Sequence, residues 1–282
     1  MTFARVGVVG VGLIGGSLAL AARSAGSEVV GFDRDAATLE RARARGAIDR
    51  GVSSLDDLTR GFDLLVIALP LPDTLAALRR LGSYAGPVID VASVKVPVVA
   101  AAAALPQFVG THPMAGSERG GIDAAERELF AGATWAIDEA AAAGTRRRIT
   151  AFVRALGAQP LPIGAADHDR IVALTSHLPQ TLAVALGVQL AHAADAEPRV
   201  RDLCGPGMRS MLRLAHSSPD LWEPILEANA GALAVQLRLL SATLGAAATA
   251  LEDGDAAGVT GWFGDAARIA GALGPERRRR AR

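Results

Sequence analysis

A single cysteine among 282 residues rules out an internal disulfide framework and any zinc site built from several thiolates. An excess of charge of one sign is missing too. Twenty-nine Lys plus Arg are matched by 29 Asp plus Glu, so no global field draws the chain to nucleic acid or an anionic membrane. Aromatic residues make up only 4%, and the filler is alanine, leucine, valine and glycine, which favours helices over an all-β sandwich. With 50% hydrophobic and 21% charged residues the chain builds a core and is not disordered. Residues 6–22, uncharged between Arg5 and Arg23, mimic a signal peptide. They are too short and glycine-rich to span a bilayer, and read instead as strand, glycine turn and helix start. The chain is therefore expected to be soluble and cytoplasmic, without membrane or nucleic-acid partners, and its terminal RRRRAR is expected to be a solvated tail.

What is present is an alternation. Buried-strand patterns at 4–10, 28–33, 63–69, 87–92, 107–110, 133–138 and 158–163 are separated by helical patterns at 17–23, 35–45, 73–82, 96–104 and 145–156. Ile48 and Val52 fall in a short connection. Strands alternating with helices imply an α/β doubly wound parallel sheet. From Ala166 onward only helical periodicity remains, over 167–194, 197–216, 219–250 and 255–273. The expected division is a dinucleotide-binding, Rossmann-type domain over 1–165 and an all-helical domain over 166–282.

Gly10-Val11-Gly12-Leu13-Ile14-Gly15 fits G-x-G-x-x-G between a strand and a helix. The first glycine permits the turn, the second lets a pyrophosphate approach, and the third lets helix and strand pack closely. Asp33 closes the second strand 18 residues after Gly15, placed to accept from the ribose hydroxyls, which favours NAD over NADP. The adjacent Arg34 keeps NADP possible. Ala68, Leu69 and Pro70, at the carboxyl end of the third strand, are expected along the cofactor. Ser93 follows the fourth strand and His112 the next, so both are placed at the crevice beyond the strand ends. Together they suggest proton handling beside hydride transfer; singly, Ser93 reads equally as a helix cap and His112 as a packed loop residue.

Five segments carry a resemblance: GLIGGS at 12–17, DVASVK at 90–95, THPMAGSE at 111–118, DHDRIVALTSHLP at 167–179 and GPGMRSMLRLAHSSPDLW at 205–222. The chain resembles the prephenate/arogenate dehydrogenases of tyrosine biosynthesis over nearly its whole length. That resemblance implies a dinucleotide domain followed by a helical domain that dimerises and helps bind substrate. It also implies oxidative decarboxylation of prephenate, or of arogenate, with hydride passing to the nicotinamide. His112 would be the base for the ring hydroxyl, and Ser93 would bond that hydroxyl or orient His112. Arg213 would hold a substrate carboxylate, with Ser117, Glu118, Ser176, His177 and Gln180 around the pocket. His168 is expected to be structural rather than chemical, and Trp222 to pack near the pocket or a dimer core. Two departures stand out. Gln180 replaces a histidine common in relatives, which bears on tyrosine sensitivity and substrate choice, and Ser210 stands where aspartate is frequent.

Two rival readings are weighed. A hydroxyacid dehydrogenase or imine reductase of similar layout would usually place a catalytic lysine in its helical domain, and residues 166–282 contain no lysine. A non-enzymatic NAD-binding sensor would not need Ser93, His112 and Arg213 together. No metal site is expected. The leucine-rich stretch 219–250, apolar on several faces, points to a homodimer.

Overall fold

The computed structural model describes residues 3–82, 84–116 and 119–273; Ser117, Glu118 and the arginine-rich tail lie outside them. Six parallel strands form the main sheet: β1 (Arg5–Val9), β2 (Glu28–Phe32), β3 (Arg50–Val52), β4 (Leu64–Ile67), β5 (Val88–Asp90) and β6 (Phe108–Val109). Their order is β3-β2-β1-β4-β5-β6, so the chain reverses its direction of travel between β1 and β4, which opens the ligand crevice of such sheets. Val6, Val8, Val9 and all of β4 are buried, because helices cover both faces. These helices are α1 (Leu13–Ser24), α2 (Ala36–Ala44), α3 (Leu71–Leu81) and α4 (Val96–Ala101).

Two features depart from the alternation read in the sequence. The connection at 50–52 is an edge strand, β3, whose Arg-Gly-Val carries almost no apolar signal. The last strands leave the main sheet. β7 (Thr111–Pro113), β8 (Thr134–Asp138) and β9 (Gln159–Ile163) form a separate three-stranded sheet, antiparallel between β7 and β8. Trp135 and Ile137 anchor it in the core, and Pro160 and Pro162 are tolerated because β9 is an edge strand. The helix α5 (Ala143–Ala155) joins β8 to β9.

Everything described after β9 is helical. Residues 165–196 run as α6 (Ala165–Val172), a π turn over Ala173–His177 and α7 (Leu178–Ala196). Pro179 has no N–H to return to the preceding turn, a local cause for the altered bonding there. Then follow α8 (Arg199–Asp202), α9 (Pro206–Met211), a 3-10 turn over Leu212–His216 and α10 (Pro219–Ala228). The expected single helix over 219–250 is broken at Asn229, which ends α10 before α11 (Ala230–Glu252). The last helix is α12 (Ala256–Leu273). The change from strands to helices falls between Ile163 and Ala165, yet compactness divides the chain later, into residues 1–229 and 230–282. The helices up to α10 belong to the same compact unit as the sheets, with α6 against α4 and α10 against α3. By length and composition alone, the helices 165–196 and 230–252 are apolar enough to cross a membrane. The first carries the buried polar side chains His168, Asp169, His177 and Gln180.

Candidate active site

The glycine loop is shaped by close packing. Gly10 has φ +87, and a side chain there would strike the Ala68 carbonyl. A Cβ on Gly15 would lie 1.9 Å from the Gly10 oxygen, whereas one on Gly12 would meet nothing within 4 Å. Gly12 therefore marks a cradle left open, beside an α1 N-terminus with no side-chain cap. Asp33 braces the loop: its carboxylate accepts from the Val11 N–H at 3.0 Å and the Asp35 N–H at 3.1 Å. A cavity of about 540 Å3 runs from here, lined among others by Gly10, Gly12, Asp33, Arg34 and Pro70. Arg34 is exposed, 3.9 Å from Asp73. Glycine spacing, open cradle and positioned acid fit the adenosine diphosphate half of a dinucleotide.

A larger cleft of about 1230 Å3 continues past the loop. Its wall holds Gly12, Leu13, Ile14, Ala68, Leu69 and Pro70 on the loop side, Ser93 beyond β5, and Gln180, Arg213 and Trp222 on the helical side. Gln180 is buried, and its amide donates to the Leu214 carbonyl at 2.9 Å while its oxygen accepts from Ser217 at 3.5 Å. It thereby tethers the 3-10 turn carrying Arg213 to α7.

A buried ionic clamp holds the loop after β5 to β7. Lys95, the chain's only lysine, is 2% exposed. Its ammonium donates to the Asp90 carboxylate and, at 2.7 Å, to the Thr111 carbonyl. Asp90 also accepts from the N–H groups of Ala92 and Thr111, both at 2.9 Å. Burial lowers the Lys95 pKa, and Asp90 opposes that shift. The clamp fixes the strand-end residues flanking Ser93 and His112.

His112 lies on β7, partly buried, and is not on the cleft wall. Its Nδ1 is 3.0 Å from Nε2 of His168, whose Nδ1 is 2.8 Å from Asp169. Burial holds the His112 pKa well below 6.5, reinforced by the Lys95 charge and by His168 and His177, so at neutral pH it is an uncharged proton acceptor. His177 does not reach the cleft wall. It is buried against Trp222, with Nδ1 3.2 Å from the Asn229 amide, and burial lowers its pKa as well. Ser176 is exposed and also off the wall, because the π turn directs His177 and Gln180 inward and leaves Ser176 outward. The structure thus gathers Ser93, Gln180 and Arg213 on one wall with the glycine loop, and places His112, Ser176 and His177 off that wall. Sequence reading missed Asp90, Lys95, Asp169 and Asn229 as parts of the network. The first two stood in view in DVASVK; Asn229 had no local signal.

Comparison with known proteins identifies the family. Residues 18–159 match the family model for prephenate dehydrogenase, nucleotide-binding domain, and residues 164–265 the model for prephenate dehydrogenase, dimerization domain. The chain is 30% identical to a prephenate dehydrogenase of Lactococcus lactis over 80% of its length and 65% of the relative's. It is 32% identical to one of Bacillus subtilis over 78% and 62%. It thus spans less than two thirds of those two relatives. A cyclohexadienyl dehydrogenase of Zymomonas mobilis is 30% identical over 90% of this chain and 91% of that one. Among solved structures, Synechocystis arogenate dehydrogenase aligns with a TM-score of 0.80 at 28% identity, covering 94% of this chain and 100% of that one. Prephenate dehydrogenase from A. aeolicus, in complex with hydroxyphenyl propionate and NAD+, shares the fold with a TM-score of 0.90 at 21% identity, covering 97% and 99%.

Proposed function

The chain belongs to the prephenate dehydrogenase family, and from that premise we propose that it catalyses the NAD-dependent oxidative decarboxylation of prephenate to 4-hydroxyphenylpyruvate and carbon dioxide. The observation that carries this reading is a single cleft wall holding the glycine loop, Ser93 and Arg213. NAD, when bound, supplies the hydride acceptor; Gly10, Gly12, Leu13, Ile14 and Asp33 would hold it, with Ala68 to Pro70 beside it. Prephenate carries a hydroxyl and a hydrogen at C4 and a carboxylate at C1. As hydride leaves C4, the hydroxyl proton passes to His112, a step that requires substrate to reach past the cleft wall to the ring behind it. The electron pair of the C1–carboxylate bond then enters the ring, carbon dioxide departs, and the proton returns to the phenolic oxygen. Aromatisation drives the sequence. Ser93 hydrogen-bonds the hydroxyl or orients His112.

Arg213 serves best on the side-chain carboxylate. A guanidinium gripping the departing carboxylate would stabilise the ground-state charge that the reaction removes. Ser117 and Glu118 belong to the same proposal, as pocket residues by family resemblance alone. The working unit is a cytoplasmic homodimer formed by the helical region 166–282, and its partner is a small molecule.

The test is NADH formation by purified protein with NAD, given prephenate in one assay and arogenate in another. Turnover of prephenate is the expected result. Turnover of arogenate alone would reassign the substrate, and silence with both, repeated with NADP, would overturn the proposal.

A further inference from the structure

Three of the chain's five histidines lie in one network, His168 and His177 buried and His112 partly so, and only His112 has been given chemical work. The remainder of the network has a direction that starts at Asp169. Its carboxylate is locked by two backbone donors, Lys95 N–H at 2.7 Å to Oδ1 and Val96 N–H at 2.8 Å to Oδ2. The Asn229 amide bonds the Asp169 carbonyl at 2.7 Å, holding the α6 backbone in place. A carboxylate only accepts, so the 2.8 Å contact puts the His168 proton on Nδ1. If His168 carries only that proton, its Nε2 is bare and must accept in its 3.0 Å contact with His112 Nδ1. Neutral His112 carries one proton, and that contact places it on Nδ1.

We propose that His168 and Asp169 are a positioning relay that fixes the His112 proton on Nδ1 and leaves Nε2 bare to receive the substrate hydroxyl proton. The role of His112 as base rests on the function proposed above; the tautomer does not. When Nε2 takes the proton, the imidazolium donates from Nδ1 to His168, and the Asp169 carboxylate at the far end offsets the positive charge. No proton moves beyond His112. A protonated His168 would reverse the central bond and put the His112 proton on Nε2, the wrong nitrogen for a base. The competing account is packing alone, since the two rings also meet edge-on with centroids 5.2 Å apart.

Nitrogen NMR of the whole protein labelled in histidine, with His112 assigned by loss of its signals in His112→Asn, reads the tautomer directly. The expected wild-type spectrum has Nδ1 protonated and Nε2 bare at neutral pH. Protonated Nε2 in the wild type would overturn the relay, whatever the activity. In kinetics, His168→Ala is expected to lower kcat with prephenate on the order of 100-fold while NAD binding holds, and to shift His112 toward the Nε2 tautomer. His168→Gln, which keeps an acceptor for Nδ1–H, should recover part of the loss. An alanine variant within threefold of wild-type kcat, or an unshifted tautomer, would also overturn the relay. Absence of wild-type turnover would instead count against the substrate assignment and leave the NMR result standing.

Discussion

Gly15, His112 and Lys95 each do something a close substitute would not. At Gly15 even a methyl group collides with backbone, so Gly15→Ala should abolish measurable NAD binding, checked by quenching of protein fluorescence. For His112→Asn the expected loss of kcat is about 10^2- to 10^4-fold, with NAD affinity retained; a variant that lost both would point to a structural role. Because burial holds the His112 pKa down, the acid limb of kcat/KM should fall below pH 6.5 rather than at it. The same shift reaches stability. Below 6.5 the unfolded chain's imidazoles take up protons while buried His112 and His177 resist, so the unfolded state binds more. Their contribution is fully present at neutral pH and is lost as pH falls from 6.5 toward the folded values, which a Tm series against pH would register. Replacing Lys95 by methionine leaves Asp90 buried without its cation and should cost about 3–5 kcal/mol in denaturant unfolding.

Among the elements, the π turn and the 3-10 turn after α9 bring the helical side of the cleft into place. Gln180, on α7 just after the π turn, ties that helix to the 3-10 turn through its bond to Leu214. Gln180→Ala should raise the KM for prephenate about 2- to 10-fold, the worth of one hydrogen bond, with little change in the KM for NAD. How far such details were legible follows from where their causes lie. β1, the glycine turn and β4 announce themselves as uninterrupted apolar runs, because strands covered on both faces need no alternation. β3 was read as a connection because its place comes from pairing with β2, a tertiary cause. The helices were visible from period alone, but not the break at Asn229, whose amide bonds residues 52 and 60 positions away. His168 was read as structural because its neighbour His112 lies 56 residues away and on a different element. Strand-end position pointed to Ser93 and His112, and family resemblance added Arg213; neither said anything about the ionic clamp behind them.

At the scale of the whole molecule the apolar surface is uneven. Within residues 230–273 only Leu233 is buried, while Leu239, Leu251, Phe263 and Ile269 are each about 60% exposed or more. Two helices that cannot bury their own leucines call for a second copy of the chain. Sedimentation should show a dimer at micromolar concentration, and Leu239→Glu together with Phe263→Glu should shift it toward monomer; an unchanged wild-type monomer would contradict the proposed assembly. The single lysine has a consequence on this scale as well. Among side chains, amine-acylating reagents have only the Lys95 amine to attack, and it is sealed inside the nucleotide-binding half. Acylation of the Lys95 peptide, followed by mass spectrometry, therefore times the transient opening of that half in the native ensemble, a built-in clock that needs no engineered probe.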